Sequence, residues 1–170
     1  FYRLETDGSK TWFNPADVLI ENDERGKISG ATLISDGQPV EIGGTEKMSK
    51  SKNNGVDPQT MVDKFGADTV RLFSMFASPP EQSLDWSETG VEGMYRFLRR
   101  FWAQVSKHVD SGAIAELNVE ALSAPAKILR RQLHETIQKV ADDYGRRLTF
   151  NTAIAAVMEL LNSTAKFEVN

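Results

Sequence analysis

The hydrophobic period of this chain changes once, and that change sets its fold class. Up to residue 46 the apolar residues fall in short β-type runs: Asp17–Glu21 reads as a strand, Ile28–Ser35 as a second and Val40–Ile42 as a third. Asp23–Gly26 predicts the turn between the first two, and Asp36-Gly37 a tight hairpin turn before the third. Beyond Asp57-Pro58 the spacing becomes three and four, the period of a helix. Asp57 offers a capping carboxylate and Pro58 suits the first helical position, so a helix is predicted over 58–65, ended by Gly66. A second helix is expected over 67–77, stopping before Pro79-Pro80. Strands first and helices after give an α+β architecture.

Three longer helices follow. Ser87 is placed to cap one whose stripe comprises Val91, Met94, Tyr95, Leu98, Phe101, Trp102, Val105 and Val109. Ser123 should cap the next, with Leu129, Leu133, Ile137, Val140 and Tyr144 facing inward. Asn151 is expected to cap the last, which buries Ile154, Val157, Met158 and Leu161. Amphipathic helices of this length with short connections predict an antiparallel α-helical bundle. In the β-rich part, Asn14-Pro15 demands extended or turn geometry, and Trp12 is expected to anchor a small core.

Between the two regimes lies Lys47-Met48-Ser49-Lys50-Ser51-Lys52-Asn53-Asn54, preceded by Gly43-Gly44 and followed by Gly55. Ammonium groups balance polyphosphate charge, and hydroxyls and backbone N–H groups donate hydrogen bonds to it. Glycines at both ends permit the backbone angles of such a loop and let it move. The plainer alternative is a solvated basic surface loop. Charge is distributed to match the first reading. Residues 1–46 carry 4 basic and 9 acidic side chains, residues 47–56 carry 3 and none, residues 57–90 carry 2 and 6, and residues 91–170 carry 11 and 9. The loop and the last helices are thus the candidates for phosphate contact. A net charge of −4 opposes tight nonspecific nucleic-acid binding by the whole.

The order Lys47-Met48-Ser49-Lys50-Ser51 resembles the KMSKS loop of class I aminoacyl-tRNA synthetases. The likeness runs from about Tyr2 to Phe167 and is to the leucyl enzymes of bacteria. Isoleucyl, valyl and methionyl enzymes usually follow this loop with a Gly-Asn pair after one residue, whereas Lys52-Asn53-Asn54 stands here, as in leucyl enzymes. Gly55-Val56-Asp57-Pro58, Gly66-Ala67-Asp68-Thr69-Val70-Arg71 and Leu84-Asp85-Trp86-Ser87, with Gly90-Val91-Glu92-Gly93 leading into Arg96-Phe97-Leu98, also resemble that family. The Trp12, Pro15, Asp17 pattern and the Asp-Gly turn are similar to its small leucine-specific insertion.

The resemblance implies three segments: a β-rich insertion over 1–46, the KMSKS loop with a helical connector over 47–90, and a bundle of anticodon-binding type, truncated, over 91–170. It implies that Lys50 is the chief ATP-phosphate ligand and that Lys47 supports it, these two being the catalytic residues. Ser49 and Ser51 would add hydroxyl or backbone contacts, with Met48 completing the ATP-binding stretch as a packing residue. Asn53 and Asn54 would shape the loop, and Lys52 would either assist electrostatically or stay solvated. Leucyl enzymes generally do not read the anticodon, so Arg96, Arg99, Arg100, Arg130, Arg131, Arg146 and Arg147 become candidates for phosphates of the tRNA body. For each of these the alternative is a solvated helix face. ATP with Mg2+, leucine and tRNA(Leu) would be the ligands of a monomeric, cytoplasmic parent.

A chain that starts at Phe1 and stops at Asn170 in mid-pattern reads as a piece of a longer protein. The family also uses a His-x-Gly-His site, and neither His108 nor His134 lies in such a motif or in metal-ligand spacing. The piece alone is therefore expected to be inactive, with no metal site of its own. The absence of cysteine excludes disulfides and cysteine-ligated zinc. No apolar run reaches membrane-spanning length. Three other readings stay open: the same portion of an isoleucyl, valyl or methionyl enzyme, a stand-alone RNA-binding module, and an unrelated nucleotidyl transferase.

Overall fold

The computed structural model describes residues 1–25, 27–112 and 116–167. Gly26, the last residue of the expected Asp23–Gly26 turn, lies outside them, as do residues 168–170 at the end of the expected bundle segment. Contacts divide the chain into two compact units, Phe1–Pro58 and Gln59–Asn170. The fold is α+β, and among the described residues strands occur only in the first unit.

Four strands form two antiparallel ribbons in the first unit: β1 (Tyr2–Leu4) with β2 (Lys10–Trp12), and β3 (Val18–Asn22) with β4 (Ile28–Leu33). Asn14 caps a short 3-10 turn at Pro15–Asp17 by accepting from the Ala16 N–H, so β3 starts at Val18. The strand expected over 40–42 is reduced to isolated bridges, Thr32 with Pro39 and Tyr2 with Glu41. Val18, Ala31, Leu33 and Val40 make the core, with Phe1 and Phe13 packed on it. Trp12 is half-buried and stands outside that cluster, which corrects its expected role as the core anchor. Two-stranded ribbons are marginal on their own. Here Arg3 ties β1 to the turn after β4 by a bidentate pair with Asp36, at 2.6 and 2.9 Å, and by bonds to the Pro39 and Gln38 carbonyls. The Arg3 guanidinium and the Gln38 N–H hold the Asp36 carboxyl down to about 2.

The second unit holds α1 (Pro58–Phe65), α2 (Ala67–Phe76), α3 (Glu88–Asp110), α4 (Ala124–Asp142) and α5 (Phe150–Lys166). Gly66 adopts φ +84, a conformation few other residues accept, and its N–H closes α1 on the Val62 carbonyl. Ser87 and Ser123 cap α3 and α4 as expected, accepting from the N–H groups of Gly90 and Ala126. A turn of π-helix at Asp143–Arg147 joins α4 to α5. Ala126 and Leu129 face Leu160 and Thr164, while Val140 faces Ile154 and Val157, so α4 and α5 run antiparallel.

Two expectations fail here. Asn151 does not cap α5: the Thr149 carbonyl receives the first helical bonds, from Thr152 and Ala153, so the cap position lies two residues earlier. The bundle also does not close along the whole of α3. Val91, Met94 and Phe97 are buried, whereas Tyr95, Phe101, Trp102, Val105 and Val109 are exposed. The N-terminal half of α3 packs on α2, with Phe73 edge-on to Trp86 at 5.2 Å, and its C-terminal half has little cover. An open apolar groove of about 330 Å³ remains between Leu72, Phe101, Val140, Tyr144 and Ile154. On α4 likewise, Leu133 and Ile137 stay exposed and no residue is fully buried, and Tyr144 in the π-helical turn that follows is exposed as well.

Candidate functional site

The lysine loop is ordered by its own side chains. Ser49 is extended, Lys50–Lys52 form one 3-10 turn, and Asn53 reverses the chain in the left-handed region at φ 45. Asparagine tolerates that conformation better than most residues. Asn54 then closes the loop on itself. Its Oδ1 accepts from the Ser49 N–H at 2.8 Å, and its Nδ2 donates to the Lys47 carbonyl at 3.3 Å. The Ser49 and Ser51 hydroxyls share a hydrogen bond of 3.3 Å.

The three lysines of the loop are not equivalent. Lys52 is half-buried, pairs with Glu46, and holds its ammonium 5.4 Å from the centre of the Trp12 ring. Lys47 and Lys50 are exposed, and among the described residues neither has an acidic partner. Met48 is also exposed, at 44%. The arrangement presents two unneutralised ammonium groups and two hydroxyls on a turn of fixed shape, a combination suited to an anion with several oxygens.

The arginines divide by what already holds them. Arg131 pairs with Glu135, Arg146 with Asp142 through both carboxylate oxygens, and Arg147 with Asp143. Arg130 is half-buried beside Leu129 and Leu133. Arg100 donates to the Asn162 side-chain oxygen at 3.3 Å, and Arg99 stacks over the Tyr95 ring at 5.8 Å. Arg96, Arg99 and Arg100 are exposed on α3 and have no carboxylate partner among the described residues. They form the cationic face of this unit that is available for new contacts.

Residues 10–87 match the family of class I tRNA synthetases for I, L, M and V. A leucine--tRNA ligase of Stenotrophomonas maltophilia (strain K279a) is 73% identical over 168 residues, which is 99% of this chain. The chain belongs to the class I tRNA synthetases. A second leucine--tRNA ligase, from Xanthomonas oryzae pv. oryzae (strain PXO99A), is 71% identical over the same length. The chain spans 19% of the length of both curated relatives. Among solved structures, the LeuRS of Agrobacterium radiobacter K84 agnB2, in a ternary complex with tRNA and LeuAMS, matches with a TM-score of 0.62 and 31% identity. That match covers 71% of this chain and 16% of that one.

This class I synthetase segment also contains a buried charge that the motifs do not mark. Asp143, fully buried, sits at the start of the π-helical turn and accepts from Lys139 Nζ at 2.7 Å, from Thr152 Oγ1 and from Arg147 at 3.2 Å. The Lys139 ammonium first, then the Thr152 hydroxyl, hold its carboxyl down to about 2. The i, i+4 spacing from Lys139 to Asp143 and on to Arg147 was visible in the sequence. Its burial was not, because it follows from how α5 folds back on α4. Glu46, the acid that claims Lys52, stands immediately before the loop and was likewise counted only as part of an acidic segment.

Proposed function

We propose that this chain supplies the ATP-phosphate loop and part of the tRNA-binding surface of a leucine--tRNA ligase. In this reading leucine is activated by ATP and passed to tRNA(Leu). The observation that carries it is the self-clamped Lys47–Ser51 turn with Lys47 and Lys50 unpaired, in a chain 73% identical to a leucine--tRNA ligase. Residues 1–46 act as the leucine-specific type of insertion, 47–90 as loop and connector, and 91–170 as a bundle of anticodon-binding type, within a monomeric cytoplasmic enzyme.

The leucine carboxylate attacks the α-phosphate and pyrophosphate departs, so negative charge grows on the leaving oxygens. Lys50 meets that charge, with Lys47 beside it and the Ser49 and Ser51 hydroxyls and backbone N–H groups donating to phosphate oxygens. One well-placed donor of this kind contributes about 10²–10³ in rate. No group of three or more histidines or acids among the described residues is placed to hold a metal ion. The loop itself carries no carboxylate between Lys47 and Gly55, so in this reading the Mg2+ that accompanies ATP is held by phosphate oxygens, water and groups outside the loop. Arg96, Arg99 and Arg100 contact phosphates of the tRNA body. Arg130, Arg131, Arg146 and Arg147 serve there only by giving up or sharing the contacts described above.

The test is leucine-dependent ATP–pyrophosphate exchange in the full-length protein, with Lys50→Ala alongside. The expected outcome is a fall of about 10²–10³-fold on substitution, and no exchange by the isolated 170-residue chain. Exchange driven by another amino acid, or an unaffected Lys50→Ala variant, refutes the reading.

A further inference from the structure

The loop is attached to the β1–β2 ribbon by a short series of contacts. Tyr2 and Glu41 exchange backbone hydrogen bonds of 3.1 and 2.8 Å, which fixes the strand leading toward the loop. A Cβ built on Gly43 would lie 3.7 Å from the Tyr2 ring, so the chain then runs along that ring. Tyr2 faces Trp12 across the ribbon, with ring centres 5.2 Å apart. Lys10 covers the Tyr2 ring at 4.0 Å, and Lys52 sits over the Trp12 ring while paired with Glu46. Lys52 is thus the one loop lysine whose charge is spent within the unit. Among the described residues Lys47 and Lys50 have no such partner.

We propose that Glu46, Lys52 and Trp12 form a latch that holds the loop on the β1–β2 ribbon in the arrangement that binds polyphosphate. Lys52 is then a positioning residue and not a phosphate ligand. This rests on the reading of the loop as the ATP-phosphate site. The latch acts on the free protein by raising the fraction of molecules whose loop is competent. Losing it raises the apparent KM for ATP in inverse proportion to the competent fraction that remains and leaves kcat at saturating ATP nearly unchanged. A lysine that contacted phosphate in the transition state would instead lower kcat. A half-exposed ion pair and a cation–π contact together predict a rise in KM of about 3- to 10-fold.

The decisive experiment is a double-mutant cycle in the full-length protein, read by pyrophosphate exchange as KM for ATP and kcat separately. The variants are Glu46→Gln, Lys52→Met and their combination, with Lys52→Arg and Lys50→Ala as references. A rise in KM for both single variants, larger in Lys52→Met because it also loses the Trp12 contact, no further rise in the double beyond Lys52→Met, and retention by Lys52→Arg are expected. A lower KM or no change in Glu46→Gln overturns the latch, because freeing Lys52 would then help or not matter. So does an additive loss with reduced kcat in Lys52→Met. If Lys50→Ala itself has no effect, the ATP-loop reading fails first, and the result is then distinguishable from failure of the latch alone.

Discussion

Gly90 and Gly93 lie one helical turn apart on α3, and alanine at the two positions should have opposite effects. A Cβ on Gly90 would stand 2.7 Å from Phe73 Cε2, 3.3 Å from Cδ2 and 3.4 Å from the Ser87 Cβ. Phe73 is 3% exposed and edge-on to Trp86, so its ring cannot step aside without opening the α2–α3 contact. Overpacking of this kind costs about 1–3 kcal/mol. Against it stands the helix propensity gained from glycine to alanine, at most about 1 kcal/mol and less in the first turn. Gly90→Ala should therefore destabilise by about 0–2 kcal/mol. Nothing lies within 4 Å of a Cβ on Gly93, so Gly93→Ala keeps the propensity gain alone and should stabilise by up to about 1 kcal/mol. The assay is urea denaturation of the 170-residue chain followed by circular dichroism. With m near 2 kcal/mol/M, the two midpoints should separate by roughly 0.5–1.5 M. Midpoints that rise together would mean that α2 does not approach α3 at Gly90. Shaving the ring with Phe73→Leu in the Gly90→Ala background should recover part of the loss.

The other predictions concern charge, the loop clamp and the corrected helix face. Folded Asp143 binds its proton near 2 while the unfolded carboxyl binds near 4. The unfolded state then holds more protons in that window, so the contribution of Asp143 is intact above about pH 4 and lost as pH falls toward 2. Asp143→Asn should flatten this acid limb in denaturation curves taken at pH 7, 4, 3 and 2, and an unchanged limb would refute the assignment. Asn54→Ala removes both hydrogen bonds that close the loop, about 1–3 kcal/mol of preorganisation. Pyrophosphate exchange in the full-length protein should fall by roughly 5- to 150-fold at limiting ATP. Phe97→Ala should cost about 3–5 kcal/mol, whereas Trp102→Lys, at a site 74% exposed, should stay within about 0.5 kcal/mol in the same urea assay. Equal effects would restore the stripe read from the sequence.

Local signals were legible where one residue decides the outcome. Asp57-Pro58 and Gly66 bracketed α1, and Ser87 and Ser123 marked the starts of α3 and α4, because caps and breakers act within a few residues. The β1–β2 ribbon was missed although Asp7-Gly8 offered a turn signal: Gly8 takes φ 82 and Asp7 accepts from the Ser9 N–H. Strands of three residues, with Arg3 and Lys10 among them, show too little alternation to register. The face of α3 was misread for a different reason. Periodicity finds an apolar stripe, but which end of the stripe is covered depends on where α2 stops, and α2 ends at Phe76. In the site, the residue types of the loop were plain, while its internal hydrogen bonds and the Glu46 pair needed the fold. Cap choice at α5 failed because Asn151 is the better capping residue by type, yet the π-helical turn delivers Thr149 to the position.

The two hydrogen bonds of Asn54 have a kinematic consequence. By spanning from Lys47 to Asn54 they remove the independent torsions of the residues between, so the loop is a plate rather than a string. Soft torsions remain at its margins, where Gly43 and Gly44 stand on one side and Gly55 on the other. Any excursion of the plate is then a swing about those two edges. The backbone spacing between Lys47 and Lys50 travels with it, so both side chains are carried toward and away from an anion together.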